Sequence, residues 1–286
     1  MASPRWEHDD RLGIPAPGTG FAMERLSALM ARLRADDGCP WDRSMDHRKL
    51  RPYLLEETYE VLKALDDNDT DELKKELGDL LLQVVFHCRL AEEEERFTFS
   101  DVANATVAKL LERHPHVFGD ATANSAKEGL ANWEASKQRE GKKLFAGVPK
   151  ELPALLRAYR VQEKAANVGF DWENPDDALA KLEEELIELH EAAKNHAQLV
   201  NATPVELAET KQKWEEELGD VLFSVVNVAR KHGFNPEDAL RVTIDKFERR
   251  FGYIEDTIRE RGETLQQVGL TEMDRLWNEA KTFEKK

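Results

Sequence analysis

The sequence predicts an all-α protein built from two tandem helical bundles related by duplication. Three observations carry this expectation. Apolar residues recur at spacings of three and four through most of the chain after Phe21. Only 15 Gly and 11 Pro punctuate 286 residues, too few turn-formers for a β-rich fold. The tetrapeptide Glu-Leu-Gly-Asp occurs twice, in KKELGDLLLQVVF from Lys74 and in EEELGDVLFSVVN from Glu215, each time opening an apolar run. Glycine costs about 1 kcal/mol in a helix interior relative to alanine. Carboxylates beside apolar residues are costly unless paired. The recurrence of both in matching surroundings therefore points to a duplicated site.

Residues 1–20 combine Pro and Gly without periodicity and read as a flexible leader. FAMERLSALMARLRA then gives a first helix ending near Gly38, and CPWD (39–42) reads as a turn. A helix is expected over about 50–65, broken by DNDT (67–70), where Asp69 or Thr70 can cap the next helix over about 71–95. Further helices fit about 100–113, 126–140 and 152–166. GVPKELP (147–153) carries two prolines and is the expected junction between a first domain, 21–146, and a second, 154–286. In the second half VGFDW (168–172) echoes CPWD, and helices are expected over about 176–197, 204–231, 236–261 and 271–284. Anchored on the two Glu-Leu-Gly-Asp motifs, Trp41-Asp42 aligns with Phe170-Asp171, Lys109 with Lys246 and Trp133 with Trp277.

The formal charge of −16 argues against a nucleic-acid backbone or an anionic membrane as principal partner. Two cysteines, Cys39 and Cys88, make neither a disulfide framework nor a Cys-x-x-Cys pair, which suits a reducing cytoplasm. No apolar run approaches the roughly 18 residues of a membrane helix, and MASPRWEHDD lacks the apolar segment of a signal peptide.

Upstream of each Glu-Leu-Gly-Asp lies a second acidic motif, LEETYEVL in the first half and LEEELIEL in the second. Glu57 and Glu60 share a helix face, as do Glu76 and Asp79, Glu185 and Glu188, and Glu217 and Asp220. If the two helices of each half pack antiparallel, four carboxylates converge, and such a set repels itself unless cations lie among it. An all-oxygen donor set suits Mg²⁺, or Mn²⁺ in its place. No histidine has Glu three residues before it, which disfavours di-iron chemistry built on Glu-x-x-His. Gly78 and Gly219 read as points of close helix packing.

Basic residues accompany the acids. DKFERRF places Lys246, Arg249 and Arg250 on roughly one side of a helix, and Lys213 precedes Glu217 by one turn. The first half offers Lys109 and Arg113, with Glu112 at the position of Arg249. Surface salt bridging is the alternative for each. Beside a metal site they suggest phosphate binding, with the metal reversing the local sign of an acidic protein. Trp277 could stack on a base, whereas Phe247 and Phe251 read as core.

Together, LEETYEVL…ELGDLLLQVVF, HPHVF, NVGFDW, EEELGDVLF and KFERRF closely resemble the MazG nucleoside triphosphate pyrophosphohydrolases, over about residues 21–286 and including the tandem arrangement. The resemblance implies metal ligands Glu185, Glu188, Glu217 and Asp220, with a second set Glu57, Glu60, Glu76 and Asp79. It implies nucleotide contacts from Lys181, Lys213, Lys246, Arg249, Arg250 and Trp277, with Glu184 or a metal ligand accepting a proton from water. It further implies Mg²⁺-dependent cleavage of nucleoside triphosphates to monophosphate and pyrophosphate, in a homodimer whose second domain is the main hydrolase. A relative restricted to dUTP or dCTP, or a non-enzymatic helical dimer scaffold, are the alternatives. The longer leader and the acidic AEEEER (91–96) depart from the family pattern without touching the motifs.

Overall fold

The structure is a computed structural model that describes residues 19–125, 128–129, 132–133, 143–199 and 202–284; among these every regular element is helical. The leader expected over 1–20 lies almost wholly outside the described residues, as does most of the helix expected over 126–140. The chain divides into two compact units, Met1–Lys137 and Gln138–Lys286, so that the proline-bearing segment 147–153 falls inside the second.

The first unit contains α1 (Thr19–Leu33), α2 (Pro40–Ser44), α3 (Arg51–Asp66), α4 (Thr70–Glu93), α5 (Phe99–Arg113) and α6 (Pro115–Phe118). CPWD, expected as a turn, instead starts the one-turn helix α2, because Pro40 at its first position needs no backbone donor there. Gly38 closes the end of α1: a Cβ there would meet the Leu33 carbonyl oxygen at 2.2 Å. Asp69 caps α4, its side chain accepting from the backbone N–H of Asp71 and Glu72. The three residues between α3 and α4 force an antiparallel hairpin, and α1 packs on α4. Met30, Leu50, Val85, Phe86 and Leu90 form the core between them. Arg34, its side chain only 8% exposed, binds Glu93 at 2.7 Å and the carbonyl oxygens of Asp42 and Met45. Glu93, within the acidic 91–96 segment, is thus a partner that keeps a buried guanidinium compensated.

The second unit contains α7 (Ala154–Asn167), α8 (Pro175–Ala197), α9 (Pro204–Lys231), α10 (Pro236–Glu260) and α11 (Leu270–Phe283). Reciprocal Asn174–Asp177 and Thr203–Glu206 capping boxes start α8 and α9. These two helices pack along each other as α3 and α4 do, α7 lies against α9, and α10 pairs with α11. Ile254, Ile258 and Leu276 are the buried centre of the α10–α11 pair.

Candidate metal and phosphate site

In both units a helical pair brings its two acidic motifs together. Carboxylate oxygens of Glu57, Glu76 and Asp79 lie within 4.8 Å of one another in the first unit, and those of Glu185, Glu188 and Glu217 in the second. Glu60 and Asp220 fall outside these two groups, although Glu60 is near enough to Glu76 to affect its ionisation. By motif position Glu57 matches Glu185, Glu76 matches Glu217, Glu60 matches Glu188 and Asp79 matches Asp220. Each unit therefore gathers three members of the same set of four.

Glu217 is 3% exposed, and its Oε2 has no hydrogen-bond partner among the described residues. A buried, partnerless carboxylate oxygen beside two more carboxylates is a costly arrangement that a cation would resolve. The donor set is all oxygen, which fits Mg²⁺ or Mn²⁺. The other oxygen, Oε1, accepts a hydrogen bond from the Lys213 ammonium, at 2.5 Å. Lys181 binds both Glu184 and Glu185, at 2.7 and 2.8 Å. The neighbouring carboxylates hold the ammonium pKa of both lysines above its usual range, Lys181 through Glu184 and Glu185 and Lys213 through Glu217. Burial, then the charges of Glu217 and Glu185, pushes Glu188 up.

The first unit lacks both lysines: Tyr53 stands where Lys181 would, and Glu72 where Lys213 would. Its carboxylates show the consequence. Burial raises Glu57, with Asp79 and Glu60 adding repulsion. Burial together with hydrogen bonding to Glu72 and the charge of Glu60 pushes Glu76 up to about 7. Gln83, buried further along α4, lies near enough to Glu57 to lower it in part. Sequence reasoning missed Gln83, although its position seven residues after Glu76 puts it on the same helix face.

The raised Glu76 has a thermodynamic corollary. Its folded pKa exceeds the unfolded value, so the folded chain binds more protons between about pH 4.5 and 7, and stability falls as pH rises through that window. Thermal unfolding of metal-free protein should therefore show wild type losing Tm relative to Glu76→Gln between pH 4.5 and 7, with a constant difference above. A difference that does not change with pH would mean that Glu76 ionises normally.

The basic cluster is placed elsewhere. Arg249 and Arg250 both bind Glu284, at 3.1 and 2.5 Å, and Lys246 lies half-buried one turn away on α10. Among the described residues none of the three is in ionic contact with the carboxylates, whose cations are Lys181 and Lys213. Trp277 packs on the Ile254–Ile258–Leu276 centre, with the Phe247 ring at 5.1 Å and the Arg250 guanidinium 5.5 Å from its ring. Phe251 packs on that centre as expected, but Phe247 is 55% exposed. The glycines differ from expectation: a Cβ at Gly78 or Gly219 would meet nothing within 4 Å among the described residues, so there neither marks a close helix approach.

The chain matches the MazG nucleotide pyrophosphohydrolase domain twice, over residues 45–118 and 173–254. It is 43% identical over 266 residues to the Nucleoside triphosphate pyrophosphohydrolase/pyrophosphatase MazG of Thermotoga maritima, covering 92% of this chain and 96% of that one. It is 41% identical over 268 residues to the Nucleoside triphosphate pyrophosphohydrolase of Escherichia coli K12, covering 92% and 98%. A Bacillus subtilis protein, YabN, is 43% identical over 263 residues, which span 91% of this chain and 51% of that protein.

Proposed function

The chain belongs to the MazG nucleotide pyrophosphohydrolase family, and from that membership we propose that it hydrolyses nucleoside triphosphates to monophosphate and pyrophosphate with Mg²⁺, at the Glu185, Glu188, Glu217 and Asp220 set. The observation that carries this is the partnerless buried oxygen of Glu217, inside a carboxylate trio bordered by two lysines. Mg²⁺ held there, or Mn²⁺ in its place, would neutralise phosphate charge and acidify a water. Lys181 and Lys213, tied to the carboxylates in the metal-free chain, become free to take phosphate oxygens once the acids are otherwise compensated. Water attacks the α-phosphorus, the bond to the α,β-bridging oxygen breaks, and pyrophosphate leaves with that oxygen. Glu184, held beside Lys181, or one of the ligand carboxylates accepts the water's proton. Lys246, Arg249, Arg250 and Trp277 are assigned to the nucleotide. For the two arginines this requires exchanging Glu284 for phosphate.

A panel of ribo- and deoxyribonucleoside triphosphates, assayed with and without Mg²⁺, tests the activity. Pyrophosphate together with monophosphate is expected across several bases. Turnover of dUTP or dCTP alone would mean a narrow relative, orthophosphate would mean a different bond is cut, and no metal-dependent release would leave a helical scaffold.

Homodimer formation is part of the same proposal. Leu77, Leu81 and Val84 lie exposed along α4, and Leu218, Leu222 and Val225 repeat the stripe at matching positions on α9. Open space beside Gly78 and Gly219 leaves room for a second copy's helix along each stripe. Burying such stripes is favourable at about 25 cal/mol per Å², and light scattering at micromolar concentration should return twice the chain mass of 32.7 kDa. A monomer would contradict this. No helix among the described residues is long and apolar enough to cross a membrane. We place the protein in the cytoplasm, acting on free nucleotides rather than nucleic acid, consistent with its unpaired cysteines and its charge of −16.

A further inference from the structure

Away from the carboxylates, the second unit holds a cavity of about 420 Å³ between α7, α9 and the VGFDW loop, a volume typical of small-ligand pockets. Its walls include four aromatic side chains, Phe145, Phe170, Trp172 and Phe223, all at least 42% exposed and Phe170 83%. Two polar groups at the cavity are incompletely bonded. Gln162, 7% exposed, donates its Nε2 to the Phe223 carbonyl oxygen at 2.8 Å. That bond fixes the orientation of the amide and leaves Oε1 buried without a partner among the described residues. Arg230 likewise has a buried Nε–H without an acceptor among the described residues, although its terminal nitrogens bind Asp171 and Asn227.

The frame around the cavity is rigidly tied. Asp171 sits between Arg230 and Lys231, and Lys231 also binds the Trp172 carbonyl oxygen at 2.6 Å. Arg230, then Lys231, holds the Asp171 carboxyl below its usual range. The loop bearing Phe170 and Trp172 is thereby pinned to the end of α9.

The duplication supplies a comparison within one chain. Counting from the two Glu-Leu-Gly-Asp motifs, Asn227 corresponds to Phe86, Phe223 to Leu82 and Arg230 to Arg89. Phe86 is 3% exposed and belongs to the first unit's core. Trp41, the counterpart of Phe170, packs edge-on against Tyr53 at 5.8 Å. The core fills this position in the first unit, whereas in the second a short amide and unpacked aromatic rings leave it open.

The geometry points to a nucleobase-binding site in this cavity. Exposed aromatic rings offer stacking surfaces to a flat heterocycle. Gln162 and Arg230 line the same cavity, and an amide and a guanidinium are groups that hydrogen-bond the donors and acceptors of a base edge. Phe223 lies about 9 Å along the α9 axis from Glu217, so the base can belong to the triphosphate being hydrolysed or to a separate regulatory nucleotide. Only the first of these rests on the reading of the carboxylates as the hydrolytic centre.

Saturation-transfer NMR on the metal-free full chain, with adenosine, guanosine, cytidine and uridine as probes, tests the site. Transfer to the ring protons of at least one nucleoside is expected. It should fall several-fold in Phe170→Ala, whose side chain is too exposed to matter for folding, and vanish in Asn227→Phe, which installs the first unit's residue. If the base is the substrate's own, both variants raise KM for the triphosphate about 10- to 100-fold with little change in kcat, and nucleosides inhibit competitively. If it belongs to a regulator, KM is unchanged and nucleosides alter the rate of wild type but not of the variants. No transfer from any of the four nucleosides in wild type, or undiminished transfer in both variants, overturns the proposal. Metal-free nucleoside binding should survive Glu217→Gln, so failure of the hydrolytic reading would appear separately, as full activity in that variant.

Discussion

Replacing Glu217 with Gln should lower pyrophosphate release by at least about 10²- to 10³-fold at saturating Mg²⁺, since metal charge stabilisation supplies several kcal/mol of such a reaction. The helical fold should be retained. The substitution is nearly isosteric at a site 3% exposed, so packing is preserved. What it removes is the charge on the residue whose Oε2 is buried without a partner and whose Oε1 holds Lys213. The amide that replaces one oxygen is a donor and cannot bind a cation. Circular dichroism alongside a pyrophosphate assay separates loss of chemistry from loss of fold. Near-normal turnover would remove Glu217 from the metal set.

The second large effect is expected from Lys213→Glu, which gives the second unit the acid that the first carries as Glu72. Attraction for phosphate is lost and repulsion is gained. Each unit charge at about 4 Å is worth roughly 1–4 kcal/mol between bulk water and a protein surface, so kcat/KM should fall by about 10²-fold. Lys213→Met, which loses only the attraction, should fall less. The acid limb of the pH–rate profile should also move towards neutral. In the first unit, where an acid stands at this position, Glu76 holds its proton up to about 7, so a cation competes with that proton below neutral pH. Equal effects of the two substitutions, with no change in profile, would mean that Lys213 is only a surface partner of Glu217.

Much of the fold was legible because helical periodicity and capping are local. The α4 start at Asp69 follows from side-chain chemistry within three residues, and the α3–α4 and α8–α9 pairs follow from long apolar stripes joined by polar breaks. Within the acidic sets, Glu76 with Asp79 and Glu185 with Glu188 come together for the same reason, residues three apart sharing a helix face whatever lies opposite, whereas Glu60 and Asp220 fall outside the two groups. Other features depend on which helix packs where. Gln83 reaches Glu57 only across the α3–α4 contact. The aromatic cavity exists only because α7 and the VGFDW loop meet α9, and its counterpart in the first unit is filled by Phe86. Close packing at Gly78 and Gly219 was a local inference about a non-local property, and the open space beside both shows why it fails for a single chain. Lys246, Arg249 and Arg250 all lie on α10, but the association of the two arginines with Glu284 across the α10–α11 pair has no local signature.

On the proposed reading, pyrophosphate release resides in the carboxylates of the second unit, where Lys181 and Lys213 border the acids, and not in the matching set of the first. The most direct measurement compares Glu57→Ala/Glu60→Ala with Glu185→Ala/Glu188→Ala in the full-length chain, following pyrophosphate release from the same triphosphate at saturating Mg²⁺. The first pair should retain most of the wild-type rate, and the second should lose it by orders of magnitude. Abolished release in the first pair with activity intact in the second would contradict the assignment and move the hydrolytic site to the unit that carries Tyr53 and Glu72.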